Sequence, residues 1–168
     1  MLAPEQAERV RRYLGDAEAA MRRHADSLPF DVDEPRRALD NALQALYRAQ
    51  NGLAETPGYW DRAAASGGGR TLLALMFVRG RMEHDVLVDV HEAEILVPSE
   101  DLAPSENLSP GVNYWWKTRA EMEPHLEPAK GQRDRRDLVY GTLCGVLVMD
   151  TIAYAIQHLR SEVDPFAR

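Results

Sequence analysis

Apolar residues in the first third of the chain recur at steps of three and four. Val10, Tyr13, Leu14, Ala17, Met21, His24 and Leu28 line one face of a helix predicted over residues 4–28. Pro4 suits a first helical turn, where a missing N–H costs nothing, and Pro29 stops the run. The opposite face, with Arg11, Arg12, Glu18, Arg22 and Asp26, reads as solvated surface. Asp33 before Glu34 and Pro35 is an N-cap signal, and Leu39, Ala42, Leu43, Leu46, Ala49 and Leu53 then carry a second helix over 34–54. The short connection between the two predicts an antiparallel hairpin. Pro57 and Gly58 mark a turn, and Gly67, Gly68 and Gly69 read as a flexible junction. A third, apolar helix is predicted over 71–84. Beyond it Val86, Val88 and Val90 alternate with Asp85, Leu87 and Asp89, the pattern of a short strand. Pro98, Pro104 and Pro110 interrupt the chain up to about residue 111, and Trp115 and Trp116 fall in a strand or a single helical turn. A long, mostly apolar helix over 133–160 closes the chain.

These elements predict an all-α fold. It is a four- to five-helix bundle, with an irregular or short-β insert at 85–132 between the third and fourth long helices. Residues 1–168 form one helical domain, since the insert is too short for a core of its own. The last helix is apolar nearly all round. It is expected at the centre of the bundle, or with one side buried against a second subunit. Residues 138–156 are nearly long enough to span a bilayer. Asp150 inside that stretch would cost roughly 2.5–3.5 kcal/mol on insertion, which favours a buried helix over a membrane one.

Composition narrows the function. With 45% hydrophobic and 28% charged residues, the 168-residue chain excludes wholesale disorder. A formal charge of −7 makes it a poor general polyanion binder, so any nucleic-acid contact must use a local basic cluster. The lone cysteine, Cys144, rules out an internal disulfide and cysteine-based metal motifs, and reads as a small buried side chain. Charges from Glu5 onward leave no apolar signal-peptide core at the start. The expectation is a soluble cytoplasmic protein.

The informative stretch is ALMFVRGRMEHD, residues 74–85. It presents Arg79, Arg81 and His84 at the end of an apolar helix. In the plainer reading these cations complement the negative end of the helix and the adjacent Glu83 and Asp85. In the chemical reading they serve RNA cleavage, in which a 2′-hydroxyl attacks the adjacent phosphorus. That reaction needs a proton-transfer group near neutrality, which histidine supplies. It also needs a cation against the charge developing on phosphoryl oxygens, which the guanidinium fork supplies. A two-fold dimer pairing this region would bring two such sets together.

The arginine, four residues, histidine pattern at the end of an apolar third helix resembles the R-x4–6-H motif of HEPN domains. These are all-helical bundles of toxin–antitoxin, abortive-infection and other antiviral systems. The layout is similar as well: two long helices, the motif helix, a variable insert and a long last helix. The resemblance implies a homodimeric endoribonuclease that needs no metal or other cofactor, with Arg79 and His84 at the matching catalytic positions. It also implies RNA, and a cognate antitoxin or other protein, as partners. The family equally contains members without catalysis that act in dimerisation or binding, which is the alternative expectation. Active members usually carry a polar residue directly after the arginine; here that residue is Gly80, and Glu83 precedes His84.

Lys130, Arg133, Arg135 and Arg136 form a compact basic cluster at the start of the last helix, where positive charge is electrostatically unfavourable. Together with Arg81, the residues Lys130, Arg133 and Arg136 are the nucleic-acid-binding candidates. Trp115 and Trp116, beside Lys117 and Arg119, suit either base stacking or anchoring of the insert in the core. His84, Asp85, Asp89, His91, Glu92 and Glu94 suggest a metal-binding helical protein as a third reading. Without a paired helical motif the run reads as a charged strand edge, so no metal ligand is assigned. The glycine run lacks the phosphate-loop pattern, and there is no G-x-S-x-G. His24 and His158 fall within helices as packed or surface residues, and His125 sits in a loop.

Overall fold

Pro4 opens the first helix, α1 (Pro4–Asp26), and its apolar face meets that of α2 (Asp33–Leu53). The computed structural model describes residues 2–26, 33–80, 88–92, 112–126 and 133–164. The predicted stripes are the buried ones: Val10, Leu14 and Ala17 on α1, and Leu39, Leu43, Leu46 and Leu53 on α2. The two helices pack on one another and run antiparallel. Gln6 near the start of α1 donates to the Gly52 carbonyl at the end of α2, and Val10 Cγ2 lies 2.7 Å from where a Gly52 Cβ would stand. Each fully buried Leu contributes about 1.5–3 kcal/mol, so this hairpin supplies a large share of the stabilisation.

The middle of the chain departs from the expectation. Pro57 and Gly58 form the predicted turn, with Gly58 at φ 69°, but an unpredicted short helix, α3 (Tyr59–Ala65), follows it, and α4 (Gly67–Arg79) begins on the glycines read as a flexible junction. Ser66 caps α4 by accepting the Gly69 N–H at 3.0 Å. The glycines are there for close packing. A Cβ on Gly69 would collide with the Ala63 carbonyl oxygen, and one on Gly68 would stand 2.7 Å from that of Tyr154. Helix α4 is described as far as Arg79, with Gly80 as its C-cap, and the predicted end at 84 lies outside the described residues.

The insert contains an antiparallel hairpin of β1 (Val88–Glu92) and β2 (Val112–Trp116), in which Val88 pairs with Trp116 and Glu92 with Val112. The strand alternatives for this region therefore hold. A one-turn helix, α5 (Arg119–Met122), runs into a 3-10 turn at Glu123–His125.

The single closing helix is corrected to two, α6 (Arg133–Thr142) and α7 (Val148–Val163). The break forms because β2 claims its backbone. Trp116 N–H donates to the Val146 carbonyl and Gly145 N–H to the Trp116 carbonyl, each at 3.0 Å, and Trp115 bridges Leu147. Gly145 takes the left-handed turn this requires, with φ at 70°. Leu143, which periodicity assigns to the helix, is fully buried in the turn instead, and Val148, where α7 begins, is fully buried as well. The all-α architecture stands: among the described residues there are seven α-helices and one two-stranded sheet. No helix among them is long and apolar enough to cross a membrane.

Candidate functional site

Arg79 ends α4, whose buried residues Leu72, Leu75 and Val78 fasten it to the core. Its side chain extends from the last turn toward α2. Gln44 and Tyr47 stand three residues apart there and so share a face. Both Nε and Nη2 of Arg79 donate to Gln44 Oε1, at 3.2 and 2.5 Å. The guanidinium carbon lies 4.1 Å from the centre of the Tyr47 ring, a close cation–π contact. Arg79 is half-buried and Tyr47 is 37% exposed, so the pair opens to solvent on one side.

The partners are as informative as the distances. An amide oxygen and an aromatic face orient the guanidinium without cancelling its charge. Among the described residues Arg79 forms no ion pair. A half-buried cation held by neutral groups is costly to keep and is ready for an anion that brings its own charge. The plainer reading pairs Arg79 with local acids, but Glu83 and Asp85 lie outside the described residues, as do Arg81, His84 and Lys130. Of the sequence-predicted site, only Arg79, Arg133 and Arg136 can be placed.

Gly80 has ordinary right-handed helical angles, φ −68° and ψ −8°, and a Cβ there would come no nearer than 3.6 Å to the Phe77 carbonyl oxygen. The backbone does not require glycine at this position, and a polar side chain would fit.

At the start of α6, Arg133 and Arg135 are exposed, while Arg136 turns onto Tyr140 one helical turn later. Arg119, from α5, covers the same ring. The guanidinium carbons lie 4.6 Å (Arg119) and 5.8 Å (Arg136) from its centre. Residues 119 and 136 belong to different elements and no periodicity links them, so spacing groups Arg119 with the tryptophans instead. Burial holds the Tyr140 hydroxyl above its usual pKa against the lowering effect of Arg136.

Other candidates resolve into structure. Trp116 is fully buried and donates its indole N–H to Thr151 Oγ1 at 2.9 Å, which makes it a core anchor. Cys144 lies in the turn between α6 and α7, half-buried, with its thiol 3.6 Å from Met122 Sδ. Burial pushes that thiol's pKa up, against nucleophilic use. His24 is buried against Tyr114, ring centres 4.5 Å apart. His158 is buried with Nδ1 3.1 Å from Ser66 Oγ, and burial lowers its pKa. His125 closes the 3-10 turn and is exposed. Among the described residues no three His, Cys, Asp or Glu side chains converge as a metal site would require. Asp89, His91 and Glu92 of the metal candidates lie in β1, and the others lie outside the described residues.

Comparison with protein-family models, curated proteins and solved structures finds no match to this chain.

Proposed function

We propose that this protein is a metal-independent, HEPN-like endoribonuclease that works as a homodimer, with Arg79 as the phosphate-binding cation and His84 as the proton-transfer group. One observation supports the reading above all: Arg79 is oriented by Gln44 and Tyr47 and has no carboxylate partner among the described residues. An arginine that only closes a helix end would not need two neutral side chains to aim it.

In the proposed reaction the 2′-oxygen attacks the neighbouring phosphorus and loses its proton to a histidine. The P–O5′ bond breaks, and a second protonated histidine, from the other copy, donates to the departing 5′-oxygen. The products are a 2′,3′-cyclic phosphate and a 5′-hydroxyl. Arg79 offsets the charge on the non-bridging oxygens as the pentavalent state forms.

Purified protein should cleave single-stranded RNA in the presence of a chelator, leaving cyclic phosphate ends. His84→Ala should abolish cleavage, and Arg79→Gln should lower it by about 10²-fold or more, the scale of losing one oriented donor. Equal cleavage by wild type and His84→Ala overturns the assignment. RNA binding without cleavage by the wild type would place the protein with the non-catalytic binding members.

A further inference from the structure

The second arginine cluster needs an explanation independent of Arg79. Two guanidinium groups from different elements converge on the Tyr140 ring, both within 6 Å of its centre. Neither Arg119 nor Arg136 forms an ion pair among the described residues. Like charges so close repel one another, and the start of α6 adds the positive end of a ten-residue helix. Stacking on one ring offsets only part of that repulsion. The cluster also contains two buried polar atoms without a hydrogen-bond partner among the described residues, Arg136 Nε and the Tyr140 hydroxyl oxygen. Both can donate a hydrogen bond. Buried donors left without acceptors are destabilising. The charge of Glu123 reaches the Tyr140 hydroxyl, but among the described residues it pairs with neither arginine, so the arrangement is short of acceptors.

We infer that Arg119, Arg136 and Tyr140 form an oxyanion site that takes a phosphate group. A tetrahedral oxyanion supplies several acceptor oxygens to a guanidinium fork and neutralises both arginines at once. Resting on the RNA reading above, the ligand is a backbone phosphate of the RNA strand, held away from the scissile bond. Such a contact positions the strand without reading its sequence. It also gives an acidic chain the local cationic site that its net charge of −7 demands of any nucleic-acid binder.

The test uses the whole protein and inorganic phosphate as the probe. Thermal unfolding is followed against phosphate concentration, with chloride at matched ionic strength as the control. The wild type is expected to gain a saturable rise in midpoint that chloride does not reproduce. Arg119→Gln and Arg136→Gln should each lose most of that rise, whereas Arg135→Gln, the same charge change at an exposed neighbour, should keep it. Arg119 is exposed at the start of a one-turn helix, so its replacement leaves the fold intact if Arg136→Gln does not. A wild type with no phosphate-specific rise, or an equal rise in the Arg119→Gln/Arg136→Gln pair, overturns the site. His84→Ala should retain the full phosphate effect, which separates failure of this site from failure of the cleavage reading. With His84→Ala as the background, removing both arginines should flatten the salt dependence of binding to a single-stranded oligonucleotide. The slope should fall by roughly 0.7 for each RNA phosphate that is no longer neutralised. An unchanged slope overturns the assignment of the ligand to RNA.

Discussion

The two ends of α4 teach opposite lessons. Its N-terminal turn is closed: Gly68 and Gly69 press against α7 and α3 so tightly that a single methyl group would meet backbone. Its C-terminal turn is open: Gly80 has room for a side chain, and Arg79 leans on Gln44 and Tyr47 at a partly exposed edge. One helix thus has an end whose sequence is dictated by packing and an end whose sequence is left to chemistry. Steric demand explains the glycines at the first end. At the second it does not explain the glycine, and the role offered for the arginine is the proposed phosphate contact.

The sharpest way to break this contrast is Gly69→Ala. A Cβ driven into the Ala63 carbonyl forces α3 and α4 apart, and overpacking of that kind costs about 2–3 kcal/mol. Denaturant titration should show that loss. The same change at Gly67, where nothing lies within 4 Å, should be neutral or slightly stabilising. Similar midpoints for the two variants would remove the packing argument.

Next in size is Thr151→Val, which leaves the buried Trp116 indole N–H without its acceptor. The expected cost is about 1–3 kcal/mol in the same measurement. A smaller change would show that the foot of the hairpin does not depend on this bond.

A weaker, pH-dependent effect belongs to the closed end. His158 packs against Gly68 and Ser66, and burial lowers its folded pKa below the ordinary 6.5. Below 6.5 the unfolded chain therefore binds the proton more readily than the folded one. Stability contributed by neutral His158 is present above that pH and is lost as pH falls toward the folded pKa. Thermal midpoints between pH 7 and 5 should fall less steeply for His158→Gln than for the wild type. Parallel curves would show that His158 is not the group responsible.

The smallest expected change in stability is Gly80→Asn, within about 0.5 kcal/mol, because the position is helical and uncrowded. It is still the most informative variant for the open end. It introduces the polar neighbour that active HEPN members carry, and RNA cleavage should rise while the midpoint stays put. A fall in both would mean that Gly80 is structural after all.

The outer helices are legible because each has one wet face and one dry face. Periodicity alone places α1 and α2 to within a residue or two of their ends where these are described. Periodicity fails where burial is all round or where small residues replace large ones. It does not divide α6 from α7, because Leu143, Leu147 and Val148 are as apolar in a turn as in a helix. It also takes the three glycines for slack, since a residue without a side chain carries no pattern to read. The site is legible in part. Arg79 can be found from its place at the end of an apolar helix, whereas the convergence of Arg119 and Arg136 on Tyr140 leaves no mark in spacing.

By itself the chain determined its class, its amphipathic hairpin and an arginine near the end of its third long helix, since these depend on local period and charge. Tertiary structure alone decided where the last helix breaks, why the glycines are close-packed and which cations share a ring. Those outcomes depend on hydrogen bonds and packing between residues distant in the chain, whose partners exist only once the chain has folded.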